Sequence, residues 1–154
     1  MSAEKRLKEL GIELPEATAP IANYVGVRRV GDLLYFSGAG PVRGGKPSVT
    51  GTLGKDLTIE QGYKAAREVA INLIASLKNA VGDLDNVEQF VKLLAFVRCT
   101  DDFENQPAVV NGASDLIVEV FGEKGRHARS ALGTNALPMG IPVEIEMIVQ
   151  VKQK

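Results

Sequence analysis

A chain of 154 residues in which 18 Lys and Arg meet 19 Asp and Glu carries a net charge of −1, and so has no electrostatic reason to seek nucleic acid or an anionic membrane. Its 45% hydrophobic and 24% charged content is that of an ordinary globular protein, long enough to bury about two-thirds of the surface its unfolded chain exposes. One cysteine and one histidine exclude an internal disulfide and a thiolate metal cluster, no apolar run nears the ~20 residues of a bilayer crossing, and the opening MSAEKRLKEL lacks the apolar centre of a signal peptide, so the expected setting is the cytoplasm.

In chain order, residues 2–11 read as a short helix capped by Ser2, with Leu7 and Leu10 on its apolar side and Gly11 as its stop. The connector GIELPEATAP follows, kept extended by Pro15 and Pro20. Tyr24 to Arg29 and Leu33 to Gly38 are β-like runs around Val30-Gly31-Asp32, a predicted hairpin. The next stretch, GAGPVRGGKPSVTGTLGKD, reads as loop with at most one short strand, and its Arg43 and Lys46 as solvated charges. It contains neither a GxxxxGK[ST] element nor a GxGxxG that opens a helix.

A long helix is predicted from Thr58 to Val81, opened by a Thr58/Gln61 capping box and ended by Gly82. Its expected inner face is Ile59, Tyr63, Ala66, Val69, Ala70, Leu73, Leu77 and Ala80. Glu88 to Cys99 is a strand apolar on both sides, as a central strand should be. A second helix, about Asn105 to Phe121, buries Val109, Val110, Ala113, Leu116, Ile117 and Val120, with Pro107 tolerable only in its first turn.

The last quarter, Arg126 to Val151, organises the rest. Val143, Ile145, Met147, Val149 and Val151 alternate with Glu144, Glu146 and Gln150, with Ile148 the apolar exception on the polar side. Arg129 lies in a short run between Gly125 and Gly133. A guanidinium there and carboxylates on a strand that pairs nearby can hold a small charged molecule; the same residues can equally close a structural ion pair. The expected order is ββ(β)αβαβ, an α+β sandwich with two helices on one face of the sheet. Phe90, Leu94, Phe96 and Ile148 then leave the other face apolar, and a second copy of the chain is the simplest cover.

The HARS…LP…VEIE string, the FSGAGP run after the hairpin and the TDDF–Asn111 segment resemble the reactive-intermediate (imine/enamine) deaminases, the Rid or YjgF-like proteins formerly also called L-PSP endoribonucleases. The similarity spans residues 20–152, within a single expected domain of residues 1–154 whose first 20 form an N-terminal extension. The resemblance implies a chorismate-mutase-like α+β fold with a mixed sheet, a homotrimer with clefts between subunits, and hydrolysis of 2-imino or 2-enamino acids to 2-oxo acids and ammonia. It implies a small imino or oxo acid as partner, no metal and no organic cofactor; the charge balance and the short apolar runs lead to the expectation of no nucleic acid and no membrane. By the same resemblance Arg129 grips the substrate carboxylate, Glu144 lies near the attacking water, and Tyr24, Ser37, Gly38, Asn111 and Ala131 line the cleft. His127 stands where proline is common in the family and Ala131 where well-known members carry cysteine.

An arginine fork makes two parallel charge-assisted hydrogen bonds to a carboxylate, which a lysine cannot match. Glu146 points the same way as Glu144 and reads as a rim carboxylate. His127 reads as structural, with a tuning role as the alternative, and Cys99 as a small core residue. Two other functions compete with the deaminase: a non-catalytic sensor of 2-oxo acids in the same cleft, and a ribonuclease or translation inhibitor, which the negative charge and 5% aromatics disfavour.

Overall fold

The final strand of the computed structural model, which describes residues 1–153, behaves as its alternation predicts; Lys154, counted within the expected domain, lies outside the described residues. This strand, β7 (Val143–Val151), buries all five alternating apolar residues at 0–2% exposure. The other elements are α1 (Ala3–Glu9), β1 (Val27–Val30), β2 (Leu33–Phe36), β3 (Val42–Arg43), β4 (Lys46–Pro47), α2 (Ile59–Val81), β5 (Val87–Arg98), α3 (Gln106–Phe121) and β6 (Ala128–Thr134). Five strands form one sheet in the order β1-β2-β7-β5-β6; β5 and β6 run parallel and every other pair is antiparallel. Helices α2 and α3 cross on one face, α2 over β7 and α3 over β5 and β6. The architecture is the expected α+β sandwich with a mixed sheet. Among the described residues no helix is long and apolar enough to cross a membrane.

Local chemistry explains the helix ends. The Thr58 N–H donates to Gln61 Oε1 at 2.8 Å and the Gln61 N–H to Thr58 Oγ1 at 3.2 Å, so two orphan amides of α2 are satisfied reciprocally. Ser2 Oγ accepts from the Lys5 N–H at the start of α1. Where α2 and α3 cross, a Cβ on Gly112 would stand 2.0 Å from the Tyr63 carbonyl oxygen, an approach only glycine permits. Leu73, Leu93, Leu116, Ile117 and Ile145 are fully buried between the layers, each contributing ~1.5–3 kcal/mol relative to exposure.

Four expectations need correction. The last quarter adds two strands rather than one, so the order ends αβαββ, and α1 precedes the sheet. The glycine-rich loop holds two short strands, β3 and β4, paired as a hairpin and docked on α2, where Asn72 donates to the Gly40 and Val42 carbonyls and Arg43 pairs with Glu68 at 3.0 Å. On α2, Ile59 and Ala80 face out, while Gly62, Ala65 and Ile74 join the buried side. Phe90 belongs to the helix-covered face: a register shift between Phe90 and Lys92 pairs it with Val149, and its ring packs against Phe121 at 4.7 Å. Leu94, Phe96 and Ile148 do lie on the uncovered side, with Leu132 at 47% and Tyr35 at 43% exposure beside them.

Candidate functional site

Two clusters of the expected residues form, on opposite faces of the sheet. Paired residues in a ladder share a face, so the register assigns sides. Arg129 pairs with Leu93, which pairs with Met147, all on the helix-covered face; Glu144 pairs with Phe96 on the uncovered face. Strand β5 separates the two strands, which corrects the expectation that Arg129 and Glu144 sit on neighbouring segments. Among the described residues Arg129 makes no ion pair, so no Arg129–Glu144 bridge forms within one chain; the structural alternative, an ion pair in an interface, requires a second copy.

The first cluster surrounds Arg129 on the edge strand β6. Arg129 Nη1 donates to Asn111 Oδ1 at 2.9 Å and to Ser114 Oγ at 3.1 Å, both on α3. Asn111 and Ser114 are three residues apart and share a helical stripe. This gives Asn111, a poor helix former, a tertiary reason to be there. Both acceptors are uncharged, and both Nη1 hydrogens are used. The guanidinium keeps its Nε–H and two Nη2–H donors, which form the edge that fits a carboxylate, with no protein acceptor among the described residues. Ala131 follows on the same face of β6, half-buried.

His127 stands behind this cluster. Its Nε2 lies 2.9 Å from Ser114 Oγ and its Nδ1 2.7 Å from the Gly125 carbonyl oxygen. Burial lowers the His127 pKa, the Gly125 carbonyl opposes that, and the charge of Arg129 lowers it further. Both ring nitrogens are thus engaged within the chain. Ser114 escaped the sequence reading; its spacing from Asn111 was the available signal.

The second cluster gathers Glu144, Gly38, Ser37 and the Tyr24 segment. Ala39 and Ile145 exchange backbone hydrogen bonds at 2.9 and 3.0 Å, which lays the end of the hairpin along β7. A Cβ on Gly38 would lie 3.0 Å from Glu144 Cδ, so a side chain there would push the carboxyl off this backbone by a few tenths of an ångström. The Ser37 hydroxyl donates to the Val25 carbonyl at 2.7 Å and its amide to Gly26 at 2.9 Å, fastening the segment that carries Tyr24, itself 57% exposed. Glu144 is half-buried; burial raises its pKa, and the charge of Glu146 adds to the rise.

Two hollows of the single chain lie outside both clusters. One, of about 830 Å³, lies between α1, the 11–17 connector and α2, lined by Leu7, Ile12, Leu14 and Ala75. A smaller one of about 220 Å³ opens beyond Ala131, between Cys99, Gln106 and Gly133. Cys99 there is half-buried and accepts from Gln106 Nε2 at 3.6 Å, a packing role. Among the described residues no three His, Cys, Asp or Glu side chains gather as a metal site would need.

Residues 4–149 match the family described as "YjgF/chorismate mutase-like, putative endoribonuclease". The chain is 46% identical over 145 residues to Protein TCP17 of Trypanosoma cruzi, covering 94% of this chain and 91% of that one. It is similar to the structure of Atu1372, a protein of unknown function from Agrobacterium tumefaciens, at 45% identity and a TM-score of 0.91, covering 97% and 92% of the two chains. It is also similar to the structure of a "putative endoribonuclease" from Shewanella oneidensis, at 35% identity and a TM-score of 0.94, covering 98% and 100%.

Proposed function

The chain belongs to the YjgF/chorismate mutase-like family, and from that premise we propose that it hydrolyses 2-imino or 2-enamino acids in a cleft shared by two copies of the chain. The observation that carries the reading is the state of Arg129. Its charge rests on two neutral oxygens, and a carboxylate-shaped edge of donors is left over. An arginine held for structure alone is ordinarily matched by a carboxylate.

A cleft needs both clusters, and one chain holds them on opposite sides of its sheet. The edge strand β6 and the uncovered apolar face with Leu94, Phe96, Leu132 and Ile148 are where a second copy would sit. In the proposed assembly, Arg129 of one copy would face Glu144, Gly38, Ser37 and Tyr24 of the next.

In that cleft Arg129 orients the substrate carboxylate, which fixes the adjacent imine carbon in one pose. Glu144, ionised, accepts a proton from water as the oxygen attacks C2 and the C=N bond becomes a C–N single bond. The proton passes to the nitrogen; the carbinolamine's hydroxyl then gives up its proton to the amine as the C=O bond forms and the C–N bond breaks, and ammonia leaves. The raised pKa of Glu144 makes it a stronger base than an exposed glutamate.

The test generates an imino acid with an upstream pyridoxal-phosphate enzyme and follows its disappearance. Acceleration by wild type that Arg129→Ala abolishes supports the reading. No acceleration, or acceleration that survives Arg129→Ala, overturns it. Arg129-dependent binding of a 2-oxo acid without turnover would leave the same cleft to a sensor.

A further inference from the structure

We propose that His127, acting through Ser114, is a positioning residue that orients Arg129, and that its neutral Nδ1–H form is the one that presents the guanidinium to a carboxylate. The proposal rests on Arg129 being the carboxylate clamp.

The direction of the hydrogen bonds follows from one fixed acceptor. The Gly125 carbonyl oxygen can only accept, so His127 Nδ1, 2.7 Å away, carries the proton. A neutral ring then has a bare Nε2, and the Ser114 hydroxyl, 2.9 Å from it, donates there. The Ser114 oxygen is left with lone pairs alone, as Arg129 Nη1 requires at 3.1 Å. The chain runs one way, from Arg129 to Ser114 to His127 to Gly125. With the other Nη1 hydrogen on Asn111, the guanidinium is fixed from two sides.

Protonating the ring reverses the middle link. Nε2 gains a hydrogen that points at Ser114 Oγ, the serine hydroxyl must turn elsewhere, and a second cation stands one hydroxyl from the guanidinium. The other charged groups around the histidine are engaged with other partners. Asp115 on α3 accepts from Tyr63, Glu123 pairs with Arg126, Lys124 donates to the Val87 carbonyl and Lys92 on β5 to Ser130. Arg129 is the one charge that biases His127. Burial and that charge keep the ring neutral to below its ordinary value of about 6.5, so the competent form prevails at neutral pH.

A through-space role would have the opposite sign. An imidazolium acting only as a nearby charge would tighten the binding of an anion as pH falls. A positioning role weakens it.

His127 is the only histidine, so its ring nitrogens give a single set of NMR signals. Long-range 1H–15N spectra of the wild type at pH 7.5 should show the Nδ1–H tautomer, and the Nε2–H tautomer would overturn the proposal. Binding of 2-oxobutanoate is then measured from pH 7.5 to 5. Glu144 titrates in every variant, so the difference between wild type and His127→Gln isolates the imidazole; a glutamine amide oxygen can accept from Ser114 but cannot titrate. Wild type should lose about fivefold more affinity over this range than His127→Gln, the worth of about one hydrogen bond. Ser114→Ala should bind about fivefold more weakly at pH 7.5, with a pH profile matching that of His127→Gln. Identical profiles for wild type and His127→Gln, or tighter binding by wild type at low pH, overturn the positioning role. If Arg129→Ala binds 2-oxobutanoate as wild type does, the clamp reading itself fails; if only that variant loses binding, the clamp stands and the relay does not.

Discussion

The two faces of the sheet solve different problems with the same strands. On the helix-covered face, β5 and β7 present Leu93, Ala95, Val97, Ile145 and Met147, all buried, and the polar intruder Arg129 is met by two α3 oxygens. On the other face the same strands present Leu94, Phe96, Glu144, Glu146 and Ile148, which the chain alone leaves partly open. The first face is closed and self-sufficient. Among the described residues, the second has apolar groups that lack a cover and carboxylates, Glu144 and Glu146, that make no ion pair. The difference separates stability from the proposed assembly: one face holds the chain folded, the other is the one the proposal gives to a second copy.

A charge placed on the open face tests this division most severely. Leu132→Asp should abolish assembly and with it all turnover, because desolvating a carboxylate in an apolar interface costs several kcal/mol, while circular dichroism and light scattering report a folded monomer. Unfolding, in place of dissociation, would erase the distinction between the faces.

Glu144→Gln comes next. Loss of the base should lower kcat/KM by ~10²–10⁴. Its raised pKa carries two signs. Activity needs the carboxylate, so it falls as pH drops through a value above that of an ordinary glutamate. Stability runs the other way: the native chain holds this proton more tightly than the unfolded one, so the contribution is full at low pH and is lost as pH rises through the folded pKa. Thermal unfolding at neutral pH should therefore find Glu144→Gln at least as stable as wild type; a clear loss would mean that the carboxylate has a structural partner.

On the closed face, Leu93→Ala should cost 2–5 kcal/mol in denaturant unfolding, by lost transfer energy and the cavity left between α3 and the sheet. The smallest effect is expected at the end of α2, where Thr58→Ala removes one half of the capping box, at about 1 kcal/mol. Neither change should alter the dependence of activity on Arg129.

Much of this was legible in the residues. Strict alternation from Val143 to Val151 can be satisfied only by a strand with one buried face, and the apolar spacing of α3 picked out all of its buried residues except Gly112. The face of α2 was harder to read, because Gly62 and Gly112 allow the helices to approach so closely that Ala65 and Ile74, rather than Ile59 and Ala80, meet the interior. Phe90 was misassigned because a register shift is invisible to a count of alternating residues. The candidate residues could be named one by one from the sequence, and their arrangement could not. Nothing in the spacing of Arg129 and Glu144 reveals that β5 inserts between their strands, or that their side chains leave the sheet in opposite directions. Ser114 is an ordinary helix serine until the strand order brings β6 beneath it.

The direct test of a cleft built from two copies is complementation between inactive variants. Arg129→Ala and Glu144→Gln proteins are unfolded together, refolded as a mixture and assayed for imine hydrolysis. If Arg129 of one copy works with Glu144 of its neighbour, random mixing restores about a quarter of wild-type activity, since that fraction of clefts draws both intact residues from different chains. If the two residues served one cleft from the same chain, every cleft would lack one of them, and a mixture as inactive as its components would contradict the account.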